Sequence, residues 1–142
     1  MFLPEVLTRL RAAGTVEDVV VVLGAHEVEA DARTVRCEDW ERGPGASLRC
    51  GLAALGAGVE AAVVVLADGP ELAPEAVERV AAAWRDGGGD VVAASYAGLR
   101  GHPVLLARAA WESVPDEGAR ALEPVLVPCD DLGSPGDVDR RR

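Results

Sequence analysis

Two uninterrupted apolar runs constrain the fold of this chain most strongly. Residues 18–24 read DVVVVLG and residues 61–67 read AAVVVLA. Each run has the length of a strand, is rich in β-branched side chains and lacks apolar–polar alternation, so both predict strands buried on both faces, as in the middle of a parallel sheet. Weaker patterns predict strands at 34–37, 90–96, 102–107 and 123–129.

Helical patterns alternate with these strands. Apolar residues at helical spacing predict helices over 3–13 and from Pro74 to the glycines at 87–89, and a glycine-rich turn opens a third helical pattern at 43–58. A shorter helix is predicted at 106–113. Because helices and strands alternate, we expect a three-layer α/β fold with a mostly parallel sheet. A chain of 142 residues has the length of one domain, which we assign to 1–142.

The charge balance narrows the possible partners. The chain has 24 acidic and 14 basic residues, all of the latter arginine, for a net charge of −10. This excess argues against sequence-independent binding to nucleic acid or an anionic membrane surface, so an anionic ligand must be held locally by arginine, backbone amides or a metal. The chain shows no secretory signal and no apolar stretch of the roughly 18 residues that span a bilayer, so we expect a soluble cytoplasmic protein.

The cysteines are too few and too widely spaced to predict bonds between them. Cys37, Cys50 and Cys129 are an odd, widely spaced set without a CxxC pair. Such a set indicates neither a disulfide framework nor a zinc site, so we predict that all three are reduced and structural.

Carboxylates near strand ends are the first candidate site residues. Asp68 follows the second apolar run directly and precedes Gly69 and Pro70. A carboxylate at the carboxyl end of a rigid strand suits a hard cation such as Mg²⁺, although an aspartate that only forms a turn fits this stretch equally well. Near the C-terminus, Asp137 and Asp139 offer a second carboxylate for the same metal; the alternative is that they are simply solvated.

The stretch GPGASLR, residues 43–49, is the second candidate. Gly43 and Gly45 precede a helix N-terminus, where free N–H groups favour an anion, and Arg49 is placed to pair with a phosphate. Ser47 is predicted either to cap the helix or to contact a ligand, and an ordinary glycine-rich turn remains the alternative. His102, in RGHPV, is predicted either to bind a ligand or to hydrogen-bond its own loop.

Taken in order, four stretches resemble one family. VVVVLGAH, GPGASLRCGLAAL, VVVLADGPELAPEAVERV and SYAGLRGHPVLL are similar to the MobA-like nucleotidyltransferases, closest to molybdenum cofactor cytidylyltransferases, and DEGARAL followed by VPCDDLGSPGDVD continues the resemblance. It covers nearly the whole chain. The family's opening strand and Gly-rich triphosphate segment, with its lysine, are not matched, so we expect a domain incomplete at both ends that tends to self-associate through exposed strand edges.

The resemblance implies a Rossmann-like nucleotidyltransferase that moves a nucleoside monophosphate from a triphosphate to a phosphorylated acceptor, with Mg²⁺ and release of pyrophosphate. It places the metal on Asp68 and Asp139, with Asp137 beside them, and nucleotide and acceptor contacts on Gly45, Ser47 and Arg49. Transfer from CTP to a pterin phosphate such as molybdopterin is favoured. The alternatives are guanylyl transfer, to a pterin or a phospholactate-type acceptor, and a non-catalytic ligand-binding or interaction homologue.

Overall fold

The predicted helices and strands are all present in the structure, in the predicted order. The computed structural model describes residues 3–23, 32–66 and 72–132. The helices are α1 (Leu3–Ala12), α2 (Pro44–Ala53), α3 (Pro74–Arg85) and α4 (Arg108–Trp111). The strands are β1 (Val20–Leu23), β2 (Arg33–Arg36), β3 (Ala61–Val64), β4 (Val91–Tyr96), β5 (Leu99–Ala107) and β6 (Val125–Pro128). Within these ranges, no helix is long and apolar enough to cross a membrane.

The strands form two sheets. β1 and β2 make a parallel ribbon, and the larger sheet has the order β3–β5–β4–β6. β5 is antiparallel to β3 and β4, whereas β6 is parallel to β4, so three of its four strands run in one direction. The reversal of β5 follows from its connection to β4 through Ala97 and Gly98, both with positive φ, because a two-residue turn of this kind joins only antiparallel strands.

Helices cover both faces of the strands and form the expected three layers. On one face, α1 and α3 bury apolar clusters that contain Val6, Val77 and Val80 together with Val63 of β3 and Val92 of β4. On the other face, Leu52 of α2 and Trp111 of α4 share a cluster with strand residues of β4 and β5. The three-layer α/β prediction is therefore confirmed. The prediction that the runs at 18–24 and 61–67 are buried on both faces in the middle of a parallel sheet was wrong, because among the described residues β1 and β3 each pair with one strand only and are partly exposed.

The predicted boundaries around β5 and α4 differ from the structure. The strand predicted at 102–107 begins at Leu99, and the helix predicted at 106–113 is reduced to α4. The early start of β5 follows from the pairing of Leu99 and Arg100 with β4. The late start of α4 follows from the pairing of β5 with β3 as far as Ala107, after which the Arg108 N–H donates to the Glu60 carbonyl oxygen at 2.8 Å. The ladder holds the residues before Arg108 extended, so the helix begins late.

The state of the cysteines differs from the prediction that all three are reduced. Cys37 and Cys50 form a disulfide whose Cα atoms are 5.8 Å apart, and the prediction was wrong for this pair. The two cysteines are 13 positions apart in the sequence. They meet because the 3₁₀ turn at Trp40–Arg42 and the start of α2 return the chain to the end of β2. Cys129 is a free, fully buried thiol, as expected.

Candidate functional site

The candidate metal ligands lie outside the part of the chain that the structure describes. β3 ends at Val64 and leads towards Asp68, but residues 67–71 and 133–142, which include Asp68, Asp137 and Asp139, are not described. Across the described ranges, no group of three or more His, Cys, Asp or Glu side chains is arranged to hold a metal ion. The three aspartates therefore remain predicted ligands.

The glycine turn, residues 43–49, is described in full. The 3₁₀ turn Trp40–Arg42 leads into Gly43, whose φ of 134° is a conformation that favours glycine, and Gly43 is the N-cap of α2. Pro44 is the first helical residue, where its missing N–H costs nothing. Ser47 lies inside α2, which excludes the alternative that it caps the helix, and its contact with a ligand stays a prediction.

A second segment, residues 114–122, packs directly on the glycine turn, and we call it the bridging segment. The Gly45 N–H donates to the Asp116 carbonyl oxygen at 2.8 Å. A Cβ atom on Gly45 would overlap the Pro115 carbonyl oxygen, and one on Gly43 would overlap that of Asp116. Both glycines are thus required by the close approach of two backbones, whatever ligand the turn binds.

The Arg49 guanidinium also connects the glycine turn to the bridging segment. It donates to the Val114 carbonyl oxygen at 2.7 Å and to Asp116 Oδ1 at 2.6 Å, and Arg42 lies 3.5 Å from the other oxygen of that carboxylate. Arg49 keeps about a third of its side-chain surface, 34%, exposed. A phosphate that pairs with Arg49 must therefore share it with Asp116.

The Asp116 carboxylate is stabilised in its charged form. The hydrogen bond from Arg49 holds the pKa of Asp116 below its ordinary value. Desolvation opposes this shift, and the charges of Arg42 and Arg49 act in the same direction as the hydrogen bond. Because the folded pKa is depressed, the pair contributes its full stability above the ordinary pKa of an aspartate and loses it as the pH falls through the folded value.

We expect the pKa of Asp116, measured by NMR titration of its carboxyl carbon, to lie below that of an exposed aspartate. Replacement of Arg49 by methionine, which keeps much of the stem but removes the charge, should raise this pKa towards the ordinary value. Asp131, whose pKa Arg79 lowers to about 2, is the internal control because it contacts neither segment and should not respond. An unchanged Asp116 pKa in Arg49→Met would show that the pair does not form.

The start of β5 is connected to the bridging segment as well. Arg100 donates to the carbonyl oxygens of Leu122 at 2.7 Å and of Ala119 at 3.2 Å, and a Cβ on Gly118 would lie 3.4 Å from Pro44. The Tyr96 hydroxyl donates to the His102 carbonyl oxygen at 2.9 Å. Burial raises the pKa of Tyr96 to about 12, so this hydroxyl keeps its proton.

The structure thus joins the glycine turn to the β5 strand that carries His102, through a segment that motif reasoning left without a role. The sequence patterns did not predict the contacts of Asp116 and Arg100. Asp116 stands in the DEGARAL stretch, which carries part of the family resemblance, but nothing in the sequence links it to Arg49, 67 positions earlier. Arg100, an unremarkable arginine before the HPV stretch, gives no signal of its carbonyl partners.

Comparison with known proteins agrees with this picture. Residues 1–127 match the family model described as MobA-like NTP transferase domain. Two solved structures share the fold: Rv0371c of Mycobacterium tuberculosis H37Rv in complex with manganese, with a TM-score of 0.73, 20% identity and coverage of 91% of this chain and 76% of that chain, and the Rv0371c homolog of Mycobacterium sp. strain JC1, with a TM-score of 0.70, 21% identity and coverage of 92% and 74%. Among curated proteins, no significant match is found.

Proposed function

Because the chain belongs to the MobA-like NTP transferase domain family and is thus a nucleotidyltransferase domain, we propose that it transfers a nucleoside monophosphate, from CTP in preference, to a phosphorylated small-molecule acceptor. Residues 1–142 act as one domain in this proposal, and the location is cytoplasmic, where nucleoside triphosphates are available. The observation that carries the proposal is the glycine turn at the N-terminus of α2, with Arg42 and Arg49 beside it.

The glycine turn is proposed to bind phosphate. Gly43 and Gly45 admit residues 115 and 116 against the start of α2, and Arg42 and Arg49 place two cationic groups at this positive end of the helix dipole. Arg49 provides a charged donor that remains partly exposed, and Ser47 offers a hydroxyl within the first two turns of α2. His102 is proposed as a further ligand contact, since its strand is connected to the bridging segment through Arg100.

Asp68 and Asp139 are proposed to hold Mg²⁺, with Asp137 beside them. A divalent ion bound there neutralises the charge of the triphosphate. Carboxylates are the ligands that Mg²⁺ prefers in proteins, and the structural neighbour from M. tuberculosis was solved with manganese, another divalent ion. The chain's own part is to position the α-phosphorus and the acceptor phosphate in line, because this reaction needs orientation and charge neutralisation more than a covalent nucleophile.

Molybdopterin, a pterin phosphate, is the proposed acceptor, and the resemblance to the cytidylyltransferase branch supports CTP. Guanylyl transfer, to a pterin or a phospholactate-type acceptor, is the close alternative. The test is pyrophosphate release from CTP and from GTP with molybdopterin and Mg²⁺. Release from CTP well above that from GTP is expected; the reverse order would favour guanylyl transfer, and none from either would contradict the proposal.

A non-catalytic interaction module is the second candidate, and the open strand edges favour it. Among the described residues, β1 pairs only with β2 and β3 only with β5, and both strands are wholly apolar and partly exposed along their length. Proteins normally protect free edges with charge or proline, as β2 does with Arg33 and Arg36. Unprotected edges of this kind support self-association through β1 and β3.

The direction of the backbone groups specifies how the edges would pair. The Leu23 carbonyl oxygen accepts from the Cys37 N–H and so faces β2, and the Glu60 carbonyl oxygen accepts from the Arg108 N–H and so faces β5. Since successive residues of a strand face opposite edges, the backbone groups of Val20 and Ala61 point to the open sides. A proline at either position removes a donor from the open edge and leaves the existing ladder intact.

We therefore expect the wild-type protein to sediment as a dimer or larger species in analytical ultracentrifugation, and the double variant Val20→Pro/Ala61→Pro to shift towards monomer with an unchanged far-UV spectrum. Leu126→Pro is the control, because it places a proline in β6, the edge strand at the other end of the larger sheet from β3. A wild-type protein that stays monomeric over a wide concentration range would contradict self-association.

A further inference from the structure

The disulfide encloses the whole glycine turn. Cys37 and Cys50 are 13 positions apart, and Gly43, Ser47 and Arg49 all lie between them. Cys37 follows β2 and donates its backbone N–H to the Leu23 carbonyl oxygen at 2.7 Å, whereas Cys50 lies in the C-terminal half of α2. The bond therefore fastens α2 to the β1–β2 ribbon and closes the loop that carries the proposed phosphate contacts.

We propose that Cys37 and Cys50 form a reversible thiol–disulfide site that regulates the glycine turn, with small-molecule disulfides as the oxidant. The regulatory part rests on the proposed function, because that function assigns the ligand to the turn. A disulfide in a protein of a reducing compartment is typically one that forms and breaks in response to redox conditions.

The surroundings of the two cysteines suit thiol–disulfide exchange. Cys37 is only 1% exposed, and its Sγ lies 3.5 Å from the Ala46 carbonyl oxygen, so a hydrogen-bond acceptor is beside the thiol once it is reduced. Cys50 is only partly buried, so a dissolved reagent reaches it before Cys37.

The exchange proceeds in two balanced steps. The Cys50 thiol loses a proton to solvent and its thiolate attacks one sulfur of the small-molecule disulfide, which forms a mixed disulfide and releases one small thiolate. The Cys37 thiolate, after loss of its own proton, then attacks the Cys50 sulfur and releases the second small thiolate. Two electrons pass from the cysteine pair to the reagent, and a dithiol reverses both steps.

Reduction is expected to loosen the turn without detaching it. The hydrogen bonds from Arg49 and Gly45 to the bridging segment do not involve either sulfur, so we expect them in both states. What the reduced protein loses is the covalent closure of the loop, which limits the conformations open to the 3₁₀ turn and the start of α2. The oxidised form therefore holds the proposed phosphate contacts in a narrower range of positions.

The test uses the purified chain equilibrated with oxidised glutathione or with dithiothreitol. Alkylation followed by mass spectrometry should count one free thiol, Cys129, in the oxidised form and three in the reduced form. Hydrogen exchange of the amides in residues 43–49 should be several-fold faster in the reduced form. The variant Cys37→Ser/Cys50→Ser should exchange like the reduced form under both conditions, and Cys129→Ala should still respond.

Three free thiols after treatment with oxidised glutathione would overturn the proposal, and so would equal amide exchange in the two states. The ligand readout is the affinity for CTP with Mg²⁺, which should be several-fold higher in the oxidised form; equal affinity would overturn the regulatory role. If CTP binds in neither state, the proposed function fails, and the thiol count and amide exchange then decide the redox site by themselves.

Discussion

Replacement of Gly45 by valine is expected to lower the free energy of unfolding by about 3 kcal/mol, which is the upper end of what overpacking normally costs. The new side chain would overlap the Pro115 carbonyl oxygen, a backbone atom that cannot swing aside as a flexible side chain would. The bridging segment cannot simply retreat, because Arg49 binds it at Val114 and at Asp116. The variant must therefore break the Gly45–Asp116 hydrogen bond or separate the two segments.

Gly56→Val is the matched control, because a Cβ at Gly56 meets nothing within 4 Å. It should change the free energy of unfolding, measured by urea titration, by less than about 0.5 kcal/mol. A second expectation separates strain from general instability: in Gly45→Val the pKa of Asp116 should move towards its ordinary value as Arg49 loses its partner. Equal costs for the two valine variants would contradict the close backbone approach.

Local patterns account for most of the fold. The stripe of Val77, Val80 and Ala81 predicts the buried face of α3, because helical periodicity is a property of neighbouring residues. The reversal of β5 was not predicted, although Ala97 and Gly98 cause it, since an Ala-Gly pair is a weak turn signal. The separation of the strands into two sheets depends on pairing between distant residues, which a local pattern does not encode.

The candidate site was predictable in part for the same reason. Gly43 and Gly45 stand out because glycines before a helix are a recognisable pattern, but their physical role, the approach of residues 115 and 116, involves a segment about 70 positions away. No pattern in the sequence predicts the Arg49–Asp116 pair or the Cys37–Cys50 disulfide either. The metal-binding roles proposed for Asp68, Asp137 and Asp139 rest only on their sequence pattern and on the family resemblance, so they remain proposals.

Replacement of Asp68 by asparagine is expected to reduce Mg²⁺-dependent pyrophosphate release from CTP by about 100-fold or more. A metal ion contributes several kcal/mol of charge stabilisation to this kind of transfer, and each factor of ten in rate corresponds to about 1.4 kcal/mol. Asparagine keeps the size of the side chain and the carbonyl oxygen but loses the negative charge that holds the ion. The loss should therefore appear without a comparable loss of stability.

Asp18→Asn is the control for this substitution. Asp18 pairs with Arg33 at 2.8 Å on the surface, where both side chains are about half exposed, and it has no place in the proposed site. Its replacement should leave pyrophosphate release within about two-fold of wild type, because exposed ion pairs contribute little. An equal loss in both variants would mean that the assay responds to surface charge and not to a metal ligand.

Calorimetric titration of CTP into the protein, with and without Mg²⁺, tests the central claim most directly, because it asks for the nucleotide and the metal at once and needs no acceptor. Wild type and Asp18→Asn are predicted to bind CTP in a Mg²⁺-dependent manner, and Asp68→Asn is predicted to lose that dependence. CTP binding by Asp68→Asn with undiminished Mg²⁺ dependence would contradict the assignment of the metal to Asp68, and the absence of any CTP binding by wild type would contradict the proposed function itself.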